Sequence, residues 1–373
     1  MSKVLVLREG RNVDHISDIV WINLAVDKNI EFFSNSYPSF LFNTNNKFSK
    51  NISSAHGKGF TLYQKLNKSE YVDCCVSDYE IFHDEYDYVI YPSIRRFDKY
   101  FWISLKRFGG ERIIAIDGED DESISWHSKY CIYFKREISS FAYSSGIKPI
   151  QYFFPKPILE NVKNLTKEFT KKKYLLAPCD PRDRSTFIYS KEKNYFKQYK
   201  ESYFAYTEIR GGADALRHYE IIASGAVPYF GDLKFVPEYC LHNYPKKLQE
   251  EANNLYERVQ KKLINEERFK VKYKKIQSGF YEWLIKNGEI YGSKILFELL
   301  LKKPLIRKIN FLDEKKLFWI NFHAYKKWHM QLRPSRLNTI AFIFYPKIFL
   351  FTFYNLLKSR FKEEWYKRMR KYN

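Results

Sequence analysis

Residues 207–233, TEIRGGADALRHYEIIASGAVPYFGDL, contain a glycine pair followed by Arg217, His218 and Glu220 in one segment that then turns apolar. A glycine pair lets the backbone approach a ligand closely, and the free amides at a helix start favour an anion such as a phosphate. The arginine and histidine can donate hydrogen bonds to that anion, and the glutamate can accept two from the hydroxyls of a ribose. The residues predicted to bind a nucleotide here are Gly211, Gly212, Arg217, His218 and Glu220.

The apolar spacing of this segment predicts a helix that starts near Gly212, ends at Gly225 and leads into a strand. A stripe of apolar side chains would face the core, while Arg217 and Glu220 would lie on the adjacent face. The alternative is a surface ion pair between these two side chains, which contributes only about 0.2–0.5 kcal/mol. The predicted stripe consists of Ala215, Leu216, Tyr219, Ile222 and Ala223.

A second group of candidate phosphate ligands lies in APCDPRDRST, which follows the predicted strand YLLAP. Two arginines with neighbouring hydroxyls, at the carboxyl end of a strand and the start of a helix, suit a diphosphate, because arginine binds phosphate bidentately. The alternative is a solvated turn in which Asp180 and Asp183 neutralise the arginines. The predicted phosphate ligands are Arg182, Arg184, Ser185 and Thr186, with Arg210 just ahead of the glycine pair.

Four carboxylates stand close together after another predicted strand. Clustered carboxylates raise one another's pKa, so one of them can act as the base that takes a proton from an acceptor hydroxyl. We predict Asp117, Glu119 and Asp120 as catalytic candidates, with N-capping of a helix as the alternative role. Arg95 and Arg96, at the end of a further strand, are predicted to line the acceptor side.

The run GGADALRHYEIIASGAVPYFGDL resembles the donor-site segment of GT-B-fold glycosyltransferases, in particular a bacterial and large-virus group distantly similar to exostosin-type enzymes. Within it, EIIASGAVP is similar to the segment of nucleotide-sugar enzymes whose glutamate holds the nucleotide ribose, a role that falls on Glu220. Two further parts of the chain resemble the same group: YDYVIYPSIRR together with RIIAIDGEDD, and APCDPRDRSTFIY. The resemblance spans roughly residues 85–240.

This resemblance implies an enzyme that moves a sugar from a nucleotide-sugar donor to a glycan or lipid-linked acceptor in surface polysaccharide synthesis, of lipopolysaccharide or capsule type. Fixed positive charge would stabilise the leaving diphosphate, with no metal ion or other cofactor. Many retaining enzymes of this fold carry a second glutamate eight residues upstream, where this chain has Gly212, so a retaining or an inverting outcome stays open. An alternative is a metal-dependent GT-A-like transferase, because the DGE sequence from Asp117 to Glu119 resembles the acid-x-acid metal motif of that class.

Short apolar runs alternate with helix-length segments along most of the chain, for example RIIAID followed by the predicted helix EDDESISWHSKY, residues 119–130. This alternation predicts parallel α/β units. We expect two Rossmann-like domains facing across a cleft in the GT-B manner. An acceptor-side domain is assigned to residues 1–155, and a donor domain to residues 174–300. The charged stretch between them, residues 155–173, reads as a linker. A helical basic extension, residues 301–373, completes the chain.

The extension carries 18 of the 64 Lys and Arg residues against 4 of the 43 Asp and Glu residues, a net charge of +14 out of +21. Its apolar stretch 337–357 is interrupted by Pro346 and Lys347, so it is too short for a spanning helix and resembles an interfacial segment. We therefore expect it to bind an anionic membrane surface. The alternative is a helical pair that packs back on the catalytic domains.

Five cysteines without CxxC pairs favour neither a disulfide framework nor a zinc site, and no signal peptide is recognisable. These features predict a cytoplasmic enzyme, peripheral at the inner face of the membrane. The high net charge also suits a non-catalytic protein that binds nucleic acid or membrane, or a scaffold without catalysis. Most of the excess charge lies in the apolar tail, so we do not expect a nucleic-acid partner.

Overall fold

The computed structural model describes residues 1–10, 12–43, 59–67 and 74–291. The predicted basic extension, residues 301–373, lies outside the described residues. The described part is an α/β structure with a six-stranded and a three-stranded parallel sheet, and its helices lie between and after the strands.

The six-stranded sheet has the strand order β2-β1-β3-β4-β5-β6, and all its pairings are parallel. The chain adds β2 on one side of β1 and then crosses to add β3 on the other, so the order reverses at β1. Open sheets of this kind bind ligands at the carboxyl ends of the strands beside such a reversal. The strands are β1 Ser2–Val6, β2 Ile30–Ser34, β3 Tyr88–Tyr91, β4 Ile113–Asp117, β5 Ile132–Lys135 and β6 Lys148–Pro149.

Helices connect most of these parallel strands, while β4 and β5 are joined by a loop that contains only a 3-10 turn. The first helix begins because the Asp14 side chain accepts a hydrogen bond from the Ser17 amide, and its apolar residues are buried against the sheet. The helices up to the second sheet are α1 His15–Val26, α2 Asp78–His83, α3 Phe101–Phe108, α4 Ser140–Ser144 and α5 Lys156–Thr166.

The three-stranded sheet has the order β7-β8-β9, again with parallel pairings. Helices α6 and α7 connect its strands, and two longer helices follow β9. The elements are β7 Tyr174–Leu176, α6 Glu192–Lys200, β8 Ser202–Thr207, α7 Leu216–Ala223, β9 Val227–Phe230, α8 Lys246–Gln260 and α9 Glu266–Glu289.

Two clusters of buried apolar side chains form the core. Because side chains alternate along a strand, Val4 and Val6 enter one cluster and Leu5 enters the other. The cluster containing Val4 continues through Ile158 of α5 to Phe204 of β8, so it joins the two sheets. The other covers the opposite face of the six-stranded sheet.

Some local expectations differ from the structure. Residues 119–130, expected to be helical, contain only a 3-10 turn, Trp126–Lys129. The Asp117 and Asp121 side chains accept hydrogen bonds from amides two residues onward, which favours turns over a helix. The stretch expected to be a linker contains α5, whose apolar face is buried.

Candidate functional site

Helix α7 carries the arginine and glutamate predicted to hold a nucleotide. It begins at Leu216, four residues later than expected, with Ala215 in an extended conformation before it. It ends as predicted, because Gly225 adopts the left-handed conformation at φ 81° that favours glycine after a helix. Its start lies at the carboxyl end of β8, the edge of the sheet where ligands bind in such folds.

Glu220 of α7 is buried, with 7% of its surface exposed. Its two carboxylate oxygens have separate donors. The Tyr195 hydroxyl of α6 donates to Oε2 at 2.6 Å, and the Thr61 hydroxyl donates to Oε1. Burial raises the pKa of Glu220 above its ordinary value. The glutamate therefore accepts two hydroxyl hydrogen bonds, as the sequence predicts, but both come from the protein.

Arg217 lies one turn earlier on α7, with its guanidinium carbon 4.9 Å from the centre of the Phe187 ring. Its Nη1 is buried and has no hydrogen-bond partner among the described residues. Arg182 and, more weakly, Arg217 keep the pKa of Asp180 below its ordinary value. An arginine nitrogen without a partner is a costly arrangement, because all five N–H groups of the side chain require acceptors.

His218 is turned away from Arg217 and into the core. It is fully buried and stacks on Phe230, with ring centres 4.7 Å apart. Its Nδ1 lies 2.9 Å from the Thr207 hydroxyl and its Nε2 lies 3.0 Å from the Ala213 carbonyl oxygen. Burial lowers its pKa to about 4, so the ring is neutral near pH 7. The structure does not bring His218 to the predicted anion site.

The glycine pair and the amides that follow it contact the loops after β4 and β5. The Glu137 carboxylate accepts hydrogen bonds from the amides of Ala213 at 3.0 Å and Asp214 at 3.1 Å. A Cβ on Gly212 would lie 2.5 Å from Glu137 Oε1, and one on Gly211 would collide with Asp120. The close approach that the glycines permit is thus made by carboxylates of the chain itself.

Arg136 extends the same contact. Its Nη1 donates to the Asp214 carbonyl oxygen at 2.5 Å and lies 2.9 Å from Glu137, and its Nη2 pairs with Asp120. The Asp214 side chain accepts from the Tyr152 amide at 2.6 Å, and burial raises its pKa to about 7. The loops at the carboxyl ends of β4, β5 and β8 therefore meet around the buried Arg136 side chain.

Asp117, the first of the predicted catalytic carboxylates, has a fully buried side chain. Lys135 Nζ lies 3.0 Å from its Oδ1, and the Tyr133 hydroxyl donates to its Oδ2 at 2.7 Å. The amide of Glu119 also donates to it. This carboxylate is enclosed by partners and does not reach solvent.

The carboxylates that follow Asp117 are more accessible, and each forms an ion pair with an arginine. Glu119, 26% exposed at the side chain, pairs with Arg96 at 2.6 Å. Asp120 is 61% exposed and pairs with Arg136. Arg95 binds Asp121 through both terminal nitrogens, and although burial opposes it, Lys135 and Arg95 hold the pKa of Asp121 at about 2. The structure therefore brings the predicted Glu119 and Arg96 together, whereas Asp120 pairs with an arginine that was not predicted.

The candidates after β7 lie in an exposed loop that ends in a 3-10 turn, Arg184–Thr186. Arg182 pairs with Asp180 at 2.5 Å and stacks on Tyr206 with its guanidinium carbon 3.9 Å from the ring centre. Ser185 donates its hydroxyl to Asp183 at 2.7 Å, and Thr186 donates to main-chain oxygens of the same loop. The exposed Arg210 pairs with Glu208 at 2.8 Å.

Several residues of the site were not predicted from the sequence. Arg136 and Glu137 follow a buried strand, the same signal that identified the carboxylates after β4, so this rule extended to β5 would have found them. Thr61 and Tyr195 carry no such signal, because an isolated hydroxyl far from the motif matches no spacing pattern.

Within the described ranges, no group of three or more His, Cys, Asp or Glu side chains is arranged to hold a metal ion. No helix in the same ranges has the length and apolar character needed to cross a bilayer. A cavity of about 380 Å³ lies along α8 and contains none of the predicted site residues. Its lining includes Glu250, Asn253, Glu257 and Arg258.

Comparison with known proteins identifies no family for this chain. No family model matches the sequence, and neither a curated protein nor a solved structure matches it significantly. The chain is accordingly described by its fold class, an α/β structure with parallel sheets compatible with Rossmann-like folds.

Proposed function

We propose that this chain is a glycosyltransferase that transfers a sugar from a nucleotide-sugar donor to a glycan or lipid-linked acceptor, with two Rossmann-like lobes in a GT-B arrangement. The observation that carries the proposal is Arg217 Nη1, a buried donor without a partner among the described residues, one helical turn from the buried Glu220. A cationic donor beside a hydroxyl acceptor suits the phosphate and ribose of a nucleotide.

The donor nucleotide would lie at the carboxyl ends of β7 and β8. Arg217 would bind a phosphate oxygen through Nη1, and Glu220 would accept a ribose hydroxyl. Arg182, exposed and stacked on Tyr206, lies at the same edge of the sheet and can exchange its Asp180 partner for phosphate. Fixed positive charge at these positions would stabilise the diphosphate as it leaves the sugar.

The acceptor would approach the six-stranded sheet at the loop after β4. Because Asp117 is enclosed, the accessible carboxylates Glu119 and Asp120 are the better candidates for the base. Each is held by an arginine, which orients it. In this proposal Asp117 positions the loop through Lys135 and Tyr133.

Nucleotide binding tests the proposal directly. UDP, GDP, CMP and dTDP are titrated calorimetrically into the full chain and into Arg217→Gln and Glu220→Gln. Each variant loses a hydrogen bond to a charged group, so we expect binding to weaken about tenfold to a hundredfold. Lys193→Met removes an exposed ion pair on α6 and serves as the matched control. Absence of binding by the unaltered chain, or unchanged binding by both variants, contradicts the proposal.

We extend the proposal to peripheral attachment at the cytoplasmic face of an anionic membrane, through residues 301–373. It is supported by the net charge of +14 in this extension. Co-sedimentation with vesicles that contain phosphatidylserine should exceed that with neutral vesicles and decline as salt is raised. Equal co-sedimentation with both vesicle types would remove this part of the proposal.

A further inference from the structure

Residues 59–67, which we call the strap, join the two sheets at the proposed nucleotide site. On one side the strap contacts α1 and the segment after β2, which pack on the six-stranded sheet. Its Lys65 amide donates to the Leu41 carbonyl oxygen at 2.9 Å, and its Tyr63 hydroxyl donates to Asp18 at 3.1 Å. On the other side it contacts α6 and α7, the helices that carry Tyr195 and Glu220.

Thr61 makes the central contacts toward α6 and α7. Its hydroxyl donates to Glu220 Oε1, and its amide donates to Glu192 Oε1 at 2.7 Å. Lys65 pairs with the other oxygen of Glu192, and Phe60 lies 5.6 Å from Tyr195 between ring centres. Thr61 is fully buried by these contacts.

The backbone of Thr61 is strained. Its φ of 80° lies in the left-handed region, where a β-branched residue is a genuine outlier. Such a conformation persists only where surrounding contacts impose it, and it is typical of switches and ligand clamps. Leaving Glu220 and Glu192 would release Thr61 from this strain.

The two partners of Glu220 differ in how they are held. Tyr195 lies on α6, is buried, and receives a further hydrogen bond from the Tyr199 hydroxyl at 3.2 Å. Thr61 lies on a segment without helix or strand, in a strained conformation. A ligand hydroxyl can therefore replace Thr61 at Oε1 while Tyr195 keeps Oε2.

We infer that the strap is a built-in competitor of the nucleotide: the Thr61 hydroxyl occupies the place of one ribose hydroxyl on Glu220, and the strap must leave before a nucleoside binds. This inference rests on the proposed nucleotide site and adds its regulation. According to this inference, Glu220 accepts a hydrogen bond from one ligand hydroxyl, not from two. Apparent affinity is reduced by the fraction of molecules in which the strap is closed.

Strap variants test the competition. Thr61→Val keeps the side-chain shape but removes the hydroxyl, so the closed state loses its bond to Glu220. Binding of whichever of UDP, GDP, CMP or dTDP the unaltered chain takes should tighten about tenfold. Lys65→Met, which never touches Glu220, should tighten binding about threefold, because it removes a partly buried ion pair. The control Lys193→Met should bind as the unaltered chain does.

A reversible cross-link supplies an independent measurement. In a Cys75→Ser background, Lys65→Cys with Glu192→Cys is bridged by a short bifunctional methanethiosulfonate reagent. Nucleotide binding should fall at least about tenfold and return after reduction. The Cys75→Ser chain treated with the same reagent is the control.

The outcomes separate the two proposals. If the unaltered chain binds a nucleotide, but strap variants and cross-linked protein bind it equally well, competition by the strap is wrong and the nucleotide site stands. Weaker binding by Thr61→Val would make Thr61 a ligand contact and would also overturn the competition. If no nucleotide binds to the unaltered or the reduced protein, the proposed function fails and the inference falls with it.

Discussion

Glu137 Oε1 accepts a hydrogen bond from the Asp214 amide at 3.1 Å, across the contact between the loops of the two sheets. The other carboxylate oxygen of Glu137 accepts a hydrogen bond from the Ala213 amide. The amides ahead of α7, predicted from the sequence to bind an anion, are thus satisfied by an anion of the chain itself. A carboxylate and a phosphate oxygen suit the same amides, so this local chemistry alone does not identify the occupant.

The glycine at 212 should be required for this contact. Gly212→Ala would place a Cβ 2.5 Å from Glu137 Oε1 and 3.0 Å from Arg136 Nη1. Relief of that overlap must disturb buried charges, so we expect the free energy of unfolding to fall by about 1–3 kcal/mol in urea denaturation. Gly231→Ala is the matched control, since its added Cβ would meet Tyr206 at an ordinary 3.6 Å. Equal stability of both variants would show that the contact between Gly212 and Glu137 can adjust at no cost in free energy.

The enclosed Asp117 should stabilise the folded protein and take no part in sugar transfer. Asp117→Asn leaves the fully buried Lys135 ammonium without its counter-charge, which we expect to cost about 3–5 kcal/mol in the free energy of unfolding. Asp121→Asn removes a partly exposed partner of Arg95 and should cost only about 1 kcal/mol. Loss of sugar transfer by Asp117→Asn at undiminished stability would instead identify Asp117 as the base.

Tyr195 should position Glu220 for its ligand. Tyr195→Phe removes the hydrogen bond to Oε2 and leaves a buried carboxylate oxygen without its donor. We expect the free energy of unfolding to fall by about 1–3 kcal/mol and nucleotide binding to weaken about tenfold. Tyr199→Phe removes the bond to the Tyr195 hydroxyl but leaves both donors of Glu220 in place, so it should weaken binding less. If Tyr199→Phe weakened nucleotide binding more than Tyr195→Phe in calorimetric titration, the ligand would lie nearer to Tyr199.

Asp214 should make stability depend on pH. Burial raises its folded-state pKa from 3.8 to about 7, so the folded protein keeps a proton that the unfolded chain releases. Its contribution is fully present below pH 3.8 and is lost as the pH rises through about 7. His218 acts oppositely, because its pKa is lowered from 6.5 to about 4: its contribution is present above pH 6.5 and is lost as the pH falls through about 4.

The measurement is the free energy of unfolding between pH 4 and 7 for the unaltered chain and Asp214→Asn. The variant lacks the contribution that declines with pH, so its free energy of unfolding should rise more steeply across this interval than that of the unaltered chain. Parallel curves would mean that Asp214 does not take up its proton in the folded state.

The amino-acid sequence by itself determined the α/β class, the parallel strands and the helix stop at Gly225. Such features repeat along the chain: a buried strand is a short apolar run, and a helix presents apolar residues every three or four positions. Local hydrogen bonds overrode the pattern after β4, where Asp117 and Asp121 form turns in place of the expected helix.

Tertiary structure alone decided how the buried polar groups are satisfied. Glu220 meets Thr61 across 159 positions of sequence, and Glu137 meets Asp214 across 77. Arg217 and His218 are neighbours in the chain, yet one lies beside Glu220 at the sheet edge and the other lies in the core. A buried donor or acceptor must find a partner, but which distant residue supplies it depends on how the sheets pack, and no local spacing records that choice.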